Sequence, residues 1–237
     1  MKSFVISFVV CLSFLLLLCT NPPSLNYSQV QNVTDSLIIS HSPERIKGAG
    51  VVSIKIANKR YGGNADVEWN KNLSFHADFY SPLGTVVASI SGDTVNGTFD
   101  YSEKTYTFNI DSTMDSLPFV WARDFSFHEF SELLTGNLST IVKTFNTRPD
   151  LMYDCGHLAA ANWKTDLKNY TFTTMIDRRK LFVEKVVFES VVPKRWIMTF
   201  YNFKKGIAYS MQFKDSDNNS FSLEYDHLKY FWELSKS

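Results

Sequence analysis

Apolar and polar residues alternate with period two along most of this chain. Gly50, Val52, Ile54 and Ile56 alternate with Val51, Ser53 and Lys55. Ala65, Val67 and Trp69 alternate with Asn64, Asp66 and Glu68. Leu73, Phe75, Ala77 and Phe79 point away from Ser74, His76, Asp78 and Tyr80. Each segment reads as a strand with one buried face. Val86, Ala88 and Ile90 carry that face onward past the turn Ser81-Pro82-Leu83-Gly84. Phe99 and Tyr101, then Tyr106, Phe108 and Ile110, flank a short hairpin at 102–104. A second series follows: Tyr170, Phe172, Thr174 and Ile176; Phe182, Val186 and Phe188; Trp196, Met198 and Phe200; Ile207, Tyr209, Met211 and Phe213; Phe221, Leu223 and Tyr225. Connections this short make neighbouring strands antiparallel.

The period becomes helical twice. Val30, Val33 and Leu37 share one side of a short helix within 29–40. Phe127, Phe130, Leu134, Leu138, Ile141 and Phe145 recur at helical spacing within 124–145. Ser126 followed by Glu129 is a capping box, and Gly136 weakens or splits the helix. The order is helix, about five strands, helical insertion, about five strands. A meander that long curls into a barrel or half-barrel. Either the insertion plugs the sheet and every apolar residue is core, or it covers a cavity for an apolar ligand. Aromatic side chains serve both arrangements equally well.

Composition narrows the field. The 237 residues suit one large domain; Lys+Arg and Asp+Glu both number 24, which leaves no basic excess for nucleic acid. The 20 Phe, 11 Tyr and 5 Trp reinforce the strand reading. Lys2, the apolar run from Phe4 to Leu18 and the break at Thr20-Asn21-Pro22-Pro23 form a secretory signal, assigned to 1–19. Cys19 ends the apolar run as the lipidated cysteine of bacterial lipoprotein signals does, although Leu18 is larger than that pattern's small residue. Residues 20–28 read as a tether and 29–237 as the folded domain. With Cys11 in the leader, Cys155 is the one other thiol, so no internal disulfide is expected.

Candidate chemistry is sparse. Cys155 and His157 form a weak nucleophile pair without an orienting third group. His76 and Asp78 share a strand face but lack a third ligand at recognisable spacing. Arg178-Arg179-Lys180 reads as an exposed turn. Seven Asn-x-Ser/Thr triplets, at Asn26, Asn32, Asn72, Asn96, Asn137, Asn169 and Asn218, would matter only in a eukaryotic secretory route. No enzyme, cofactor or metal is expected.

The turn is the oddity, because surface turns are normally polar and this one carries a leucine. An N-terminal helix, a strand opening on Arg45-Ile46-Lys47-Gly48, an alternating pair, then Phe79-Tyr80-Ser81-Pro82-Leu83-Gly84-Thr85 and a further strand resemble the LolB receptors. Those belong to the LolA/LolB-like lipoprotein-localisation superfamily. The segment from Leu117-Pro118 to Leu134-Thr135-Gly136 is similar to that family's helical region, and the resemblance covers roughly 28–140. It implies a mainly β (α+β) fold: a single unclosed antiparallel β-barrel of about ten to eleven strands with an N-terminal helix and an inserted helical lid. It implies a lipid-anchored outer-membrane protein facing the periplasm, which takes acyl chains of lipoproteins, or other lipids, from a soluble LolA-like carrier. Pro82, Leu83 and Gly84 would then form the membrane-insertion loop, with Leu83 at the matching position. Val52, Ile54, Phe75, Phe79, Phe108, Phe130, Leu134, Phe172, Phe188 and Phe200 are the candidate cavity lining, and a monomer is expected.

Overall fold

Thirteen antiparallel strands form one sheet in the computed structural model. It describes residues 23–38, 43–56, 59–71, 74–101, 103–110, 114, 124–145, 148–165, 168–191 and 196–231. The leader with Cys19, and the Leu117-Pro118 pair, lie outside these residues. The first half is a meander of β1 (Arg45–Ile56), β2 (Lys59–Asn70), β3 (Phe75–Tyr80), β4 (Val86–Gly92), β5 (Asn96–Tyr101) and β6 (Lys104–Asn109). The second half runs through β7 (Leu151–Cys155), β8 (Leu158–Trp163), β9 (Tyr170–Asp177), β10 (Phe182–Ser190), β11 (Trp196–Lys204), β12 (Ile207–Asp215) and β13 (Ser220–Phe231). β1 pairs with both β2 and β13, which joins the two meanders at the centre. β6 and β7 are left as the two edges of an unclosed sheet.

The count of ten to eleven strands is corrected to thirteen. The hairpin β7–β8 accounts for the difference. β8 carries Ala159, Ala160 and Ala161, all buried, so its two faces do not alternate in polarity; β7 is an edge strand exposed along most of its length. Neither has the period-two contrast by which a half-buried strand is read.

The helices lie on the sheet's inner face. α1 (Tyr27–Asp35) is capped by Asn26, whose side chain accepts from the Gln29 amide, and buries Val30 and Val33. The insertion splits at Gly136 into α2 (Phe127–Leu134) and the single turn α3 (Ser139–Val142). The capping box at Ser126 and Glu129 is present. Phe127 packs edge-on against Phe75 at 5.8 Å and tilted against Phe108 at 5.3 Å, tying α2 to β3 and β6 of the first meander. Polar ties fix α2 and α3 to the second meander. Glu129 is ion-paired with Lys168, the Tyr225 hydroxyl donates to the Leu134 carbonyl, and the Ala208 amide donates to the Gly136 carbonyl at 3.0 Å.

The described part of the segment read as tether lies against the fold. Leu25 is buried, and Arg178 Nε donates to the Pro23 carbonyl at 3.0 Å. Arg178, read as part of an exposed turn, is in fact buried, and its Nη1 also donates to the Gly156 carbonyl. Arg179 and Lys180 are exposed.

Candidate functional site

Strand direction puts the β1–β2, β3–β4 and β5–β6 turns at one end of the half-barrel. The β3–β4 turn is built for rigidity. The Gly84 amide donates to the Ser81 carbonyl at 2.9 Å and the Ser81 amide to the Thr85 carbonyl at 2.8 Å, while Ser81 Oγ accepts from the amides of Leu83 and Thr85. Pro82 presets the entry, and Gly84 takes the left-handed conformation, φ +81°, that closes the loop. Leu83 is held at the tip with 93% of its surface exposed, so it does not fold back onto a neighbour.

Beneath the turn is a notch of about 230 Å³ on the inner face, floored by Val52, Ile54, Phe79 and Val87 and bounded by Arg60, Tyr61 and Pro82. Tyr101, next to Tyr61 and Tyr106, has its phenol pKa raised, first by burial and then by those two hydroxyls. A second cavity, about 210 Å³, lies between α1, α3 and the strands β8 and β9, with Val142, Phe145, Trp163 and Phe172 among its walls. Both fall below the roughly 300–1,000 Å³ usual for small-molecule sites.

The ten candidate lining residues therefore divide. Val52, Ile54 and Phe79 border the notch, and Phe172 borders the second cavity. Phe75, Phe108, Phe130, Leu134, Phe188 and Phe200 are buried in the continuous core, where Phe188 meets Phe172 at 5.3 Å and Phe200 at 5.8 Å. Arg60, Tyr61 and Val87 belong to the notch without having been singled out in the sequence. A bulge between Phe79 and Tyr80 turns Val87 inward, and no residue pattern announces such a bulge.

The polar pairs singled out in the sequence lie apart from the notch and from each other. His76 Nε2 meets Asp78 Oδ2 at 2.9 Å on the outer face, so the pair satisfies itself. That face also holds a groove of about 480 Å³, lined by Lys47, Asp66, Glu68, His76, His227 and Lys229. Within it, burial works to raise the Glu68 pKa, but hydrogen bonds from Lys47 and Arg45 outweigh it and leave the carboxyl below its ordinary value. Cys155 is an exposed thiol on edge strand β7. His157 turns instead towards Glu184, at 3.5 Å, and these two exposed residues form a trio with the buried Asp177 whose ligand atoms are within 4.8 Å of one another. The Asp177 carboxylate already accepts from the amides of Lys180 and Arg179, which lower its pKa.

No family model matches the chain, and no curated protein matches it by sequence. Solved structures do. A LolA superfamily protein from Nitrosomonas europaea superposes with a TM-score of 0.54, covering 87% of this chain and 94% of its own at 8% identity. A putative outer-membrane lipoprotein-sorting protein domain from Vibrio parahaemolyticus gives 0.51, with 89% and 94% covered at 12% identity. The chain shares its fold with both. A DUF1329 family protein from Desulfovibrio piger shares it as well, with a TM-score of 0.54 over 92% of this chain and 96% of its own at 11% identity. At these identities the likeness is one of fold.

Proposed function

We propose that the protein is a non-enzymatic, lipid-handling protein of the bacterial cell envelope that passes acyl chains into a membrane. The observation that carries this reading is Leu83, held fully exposed by a rigid turn directly above an apolar notch. An exposed leucine gains nothing in water. Dipped into a bilayer it contributes roughly 1.5–3 kcal/mol. The notch beneath it offers Val52, Ile54 and Phe79 to a chain in transit, each buried CH₂ contributing about 0.8 kcal/mol.

The finer proposal is the receptor step suggested by the resemblance to LolB. An anchor at Cys19 would hold the protein to the outer membrane, an acylated lipoprotein would arrive from a LolA-like carrier, and Pro82-Leu83-Gly84 would enter the leaflet. Leu83→Glu tests the membrane step. Transfer of a fluorescent acylated peptide from this protein to liposomes should fall by at least tenfold, with the unfolding temperature unchanged because the side chain touches nothing. Undiminished transfer by the variant would remove Leu83 from the mechanism.

A second reading has its own observation. Six of the ten candidate lining residues are packed core, and the two inner cavities are small. A LolA-type half-barrel with a solid interior would act as an envelope structural or interaction protein. Failure of the protein to bind any acyl probe would favour that reading.

A further inference from the structure

The chain is neutral as a whole, yet three cations gather on one hairpin. Lys55 is the last residue but one of β1, and Lys59 and Arg60 open β2, with Lys55 and Arg60 directly paired across the ladder. None of the three forms an ion pair among the described residues. The neighbouring tips lack this excess: Glu103 stands beside Lys104 on one, and Asp215 and Asp217 outnumber Lys214 on the other. β2 runs five residues, Lys59 to Gly63, past its first partner on β3 at Asn64, an overhang of about 17 Å. The cationic tip thus stands at the Leu83 end of the molecule, and Arg60 shares the notch with Pro82.

Exposed apolar groups adjoin these charges: Leu83, Val86, Val87 and the ring of Tyr61. Cations and an amphipathic ring beside protruding aliphatic side chains are the composition of a surface that settles at a headgroup–acyl boundary. A purely polyanionic partner would have no use for the aliphatic half.

We propose that the β1–β2 hairpin binds anionic phospholipid headgroups through Lys55, Lys59 and Arg60, and so sets the protein upright with Leu83 facing the bilayer. The inference rests on the reading of Leu83 as a membrane probe and adds the lipid class that the surface selects. Each cation near an anionic surface contributes enough to alter affinity several-fold, and the contribution is screened by salt.

Co-sedimentation of the purified protein with two kinds of vesicle tests it: phosphatidylcholine alone, and phosphatidylcholine mixed equally with phosphatidylglycerol. The protein should bind the anionic vesicles roughly tenfold more tightly at low salt. The doubly reversed variant Lys59→Glu/Arg60→Glu should lose that preference while retaining its unfolding temperature. Equal binding to both vesicles, or a preference that survives the double reversal, overturns the inference. Equally tight binding of a DNA duplex at the same salt also overturns it, in favour of a general polyanion site. Leu83→Glu separates the two readings. Weaker binding to both vesicles with the preference kept supports both. Unchanged binding with the preference kept supports the hairpin inference and removes the membrane probe.

Discussion

Gly136 holds φ at +71°, and a Cβ added there would lie 2.0 Å from the Ala208 carbonyl oxygen. Gly136→Ala should therefore prise the α2–α3 junction from β12. A loss of about 2–4 kcal/mol is expected, read as a drop of roughly 4–15 °C in a thermal melt. Gly84→Ala meets open space, so its cost should be confined to the left-handed backbone, about 1 kcal/mol. These two glycines announce themselves differently in the sequence. Pro82-Leu83-Gly84 is a turn signal that can be read without a structure, although whether Leu83 stands out or folds back is decided only by the fold. The need for glycine at 136 comes from a β12 carbonyl some seventy residues away, which no local pattern carries. The same holds for Arg178, which looks like surface charge and instead ties the Gly156 turn and the Pro23 carbonyl together.

Among the elements, the strands with polar outer faces and the capped helix were legible because their periodicities are local. The edge hairpin β7–β8 was not. Ala160 is buried on the outer face, beside its cross-strand partners Tyr153 and Met175, so the contrast between faces is lost. Whether the insertion plugs or covers the interior was equally undecidable from the sequence, because the decisive contacts are ties to distant strands. Those ties make a prediction. Breaking the half-buried Glu129–Lys168 pair with Lys168→Met leaves a carboxylate in a mostly buried position. The amides of α2 should then exchange with solvent faster than in the parent, while those of β12 stay protected. Equal protection of α2 in parent and variant would mean that the apolar contacts of Phe127 and the hydrogen bonds from Tyr225 and Ala208 hold the insertion without the ion pair. The six candidate residues in the core have their own signature. Phe200→Ala, within that core, should cost about 3–5 kcal/mol whether or not any lipid binds.

Across the whole molecule, the aromatic interior sets the response to pH. Burial raises the phenol pKa of Tyr170, with Glu129 and Asp124 adding to it, and burial likewise raises that of Tyr225. A raised folded-state value means that this contribution to stability is fully present below the ordinary tyrosine pKa near 10. It is lost progressively at higher pH, by up to about 1.4 kcal/mol per pH unit for each tyrosine. Denaturant midpoints should therefore fall above about pH 10, and Tyr170→Phe should flatten the fall. Element order recovered the antiparallel meanders and inner helices but left the closure of the sheet open; the unclosed sheet matches what the resemblance implied. The central claim concerns what that interior and its notch hold. Native mass spectrometry of the protein, gently purified from the cells that make it, tests it most directly. Discrete mass additions of acylated species, present in the parent and retained in Leu83→Glu, are the predicted result, because the leucine acts on the membrane and not on the cargo. A single bare mass that persists after incubation with an acylated peptide or a fatty acid would contradict the account and mark the half-barrel as solid.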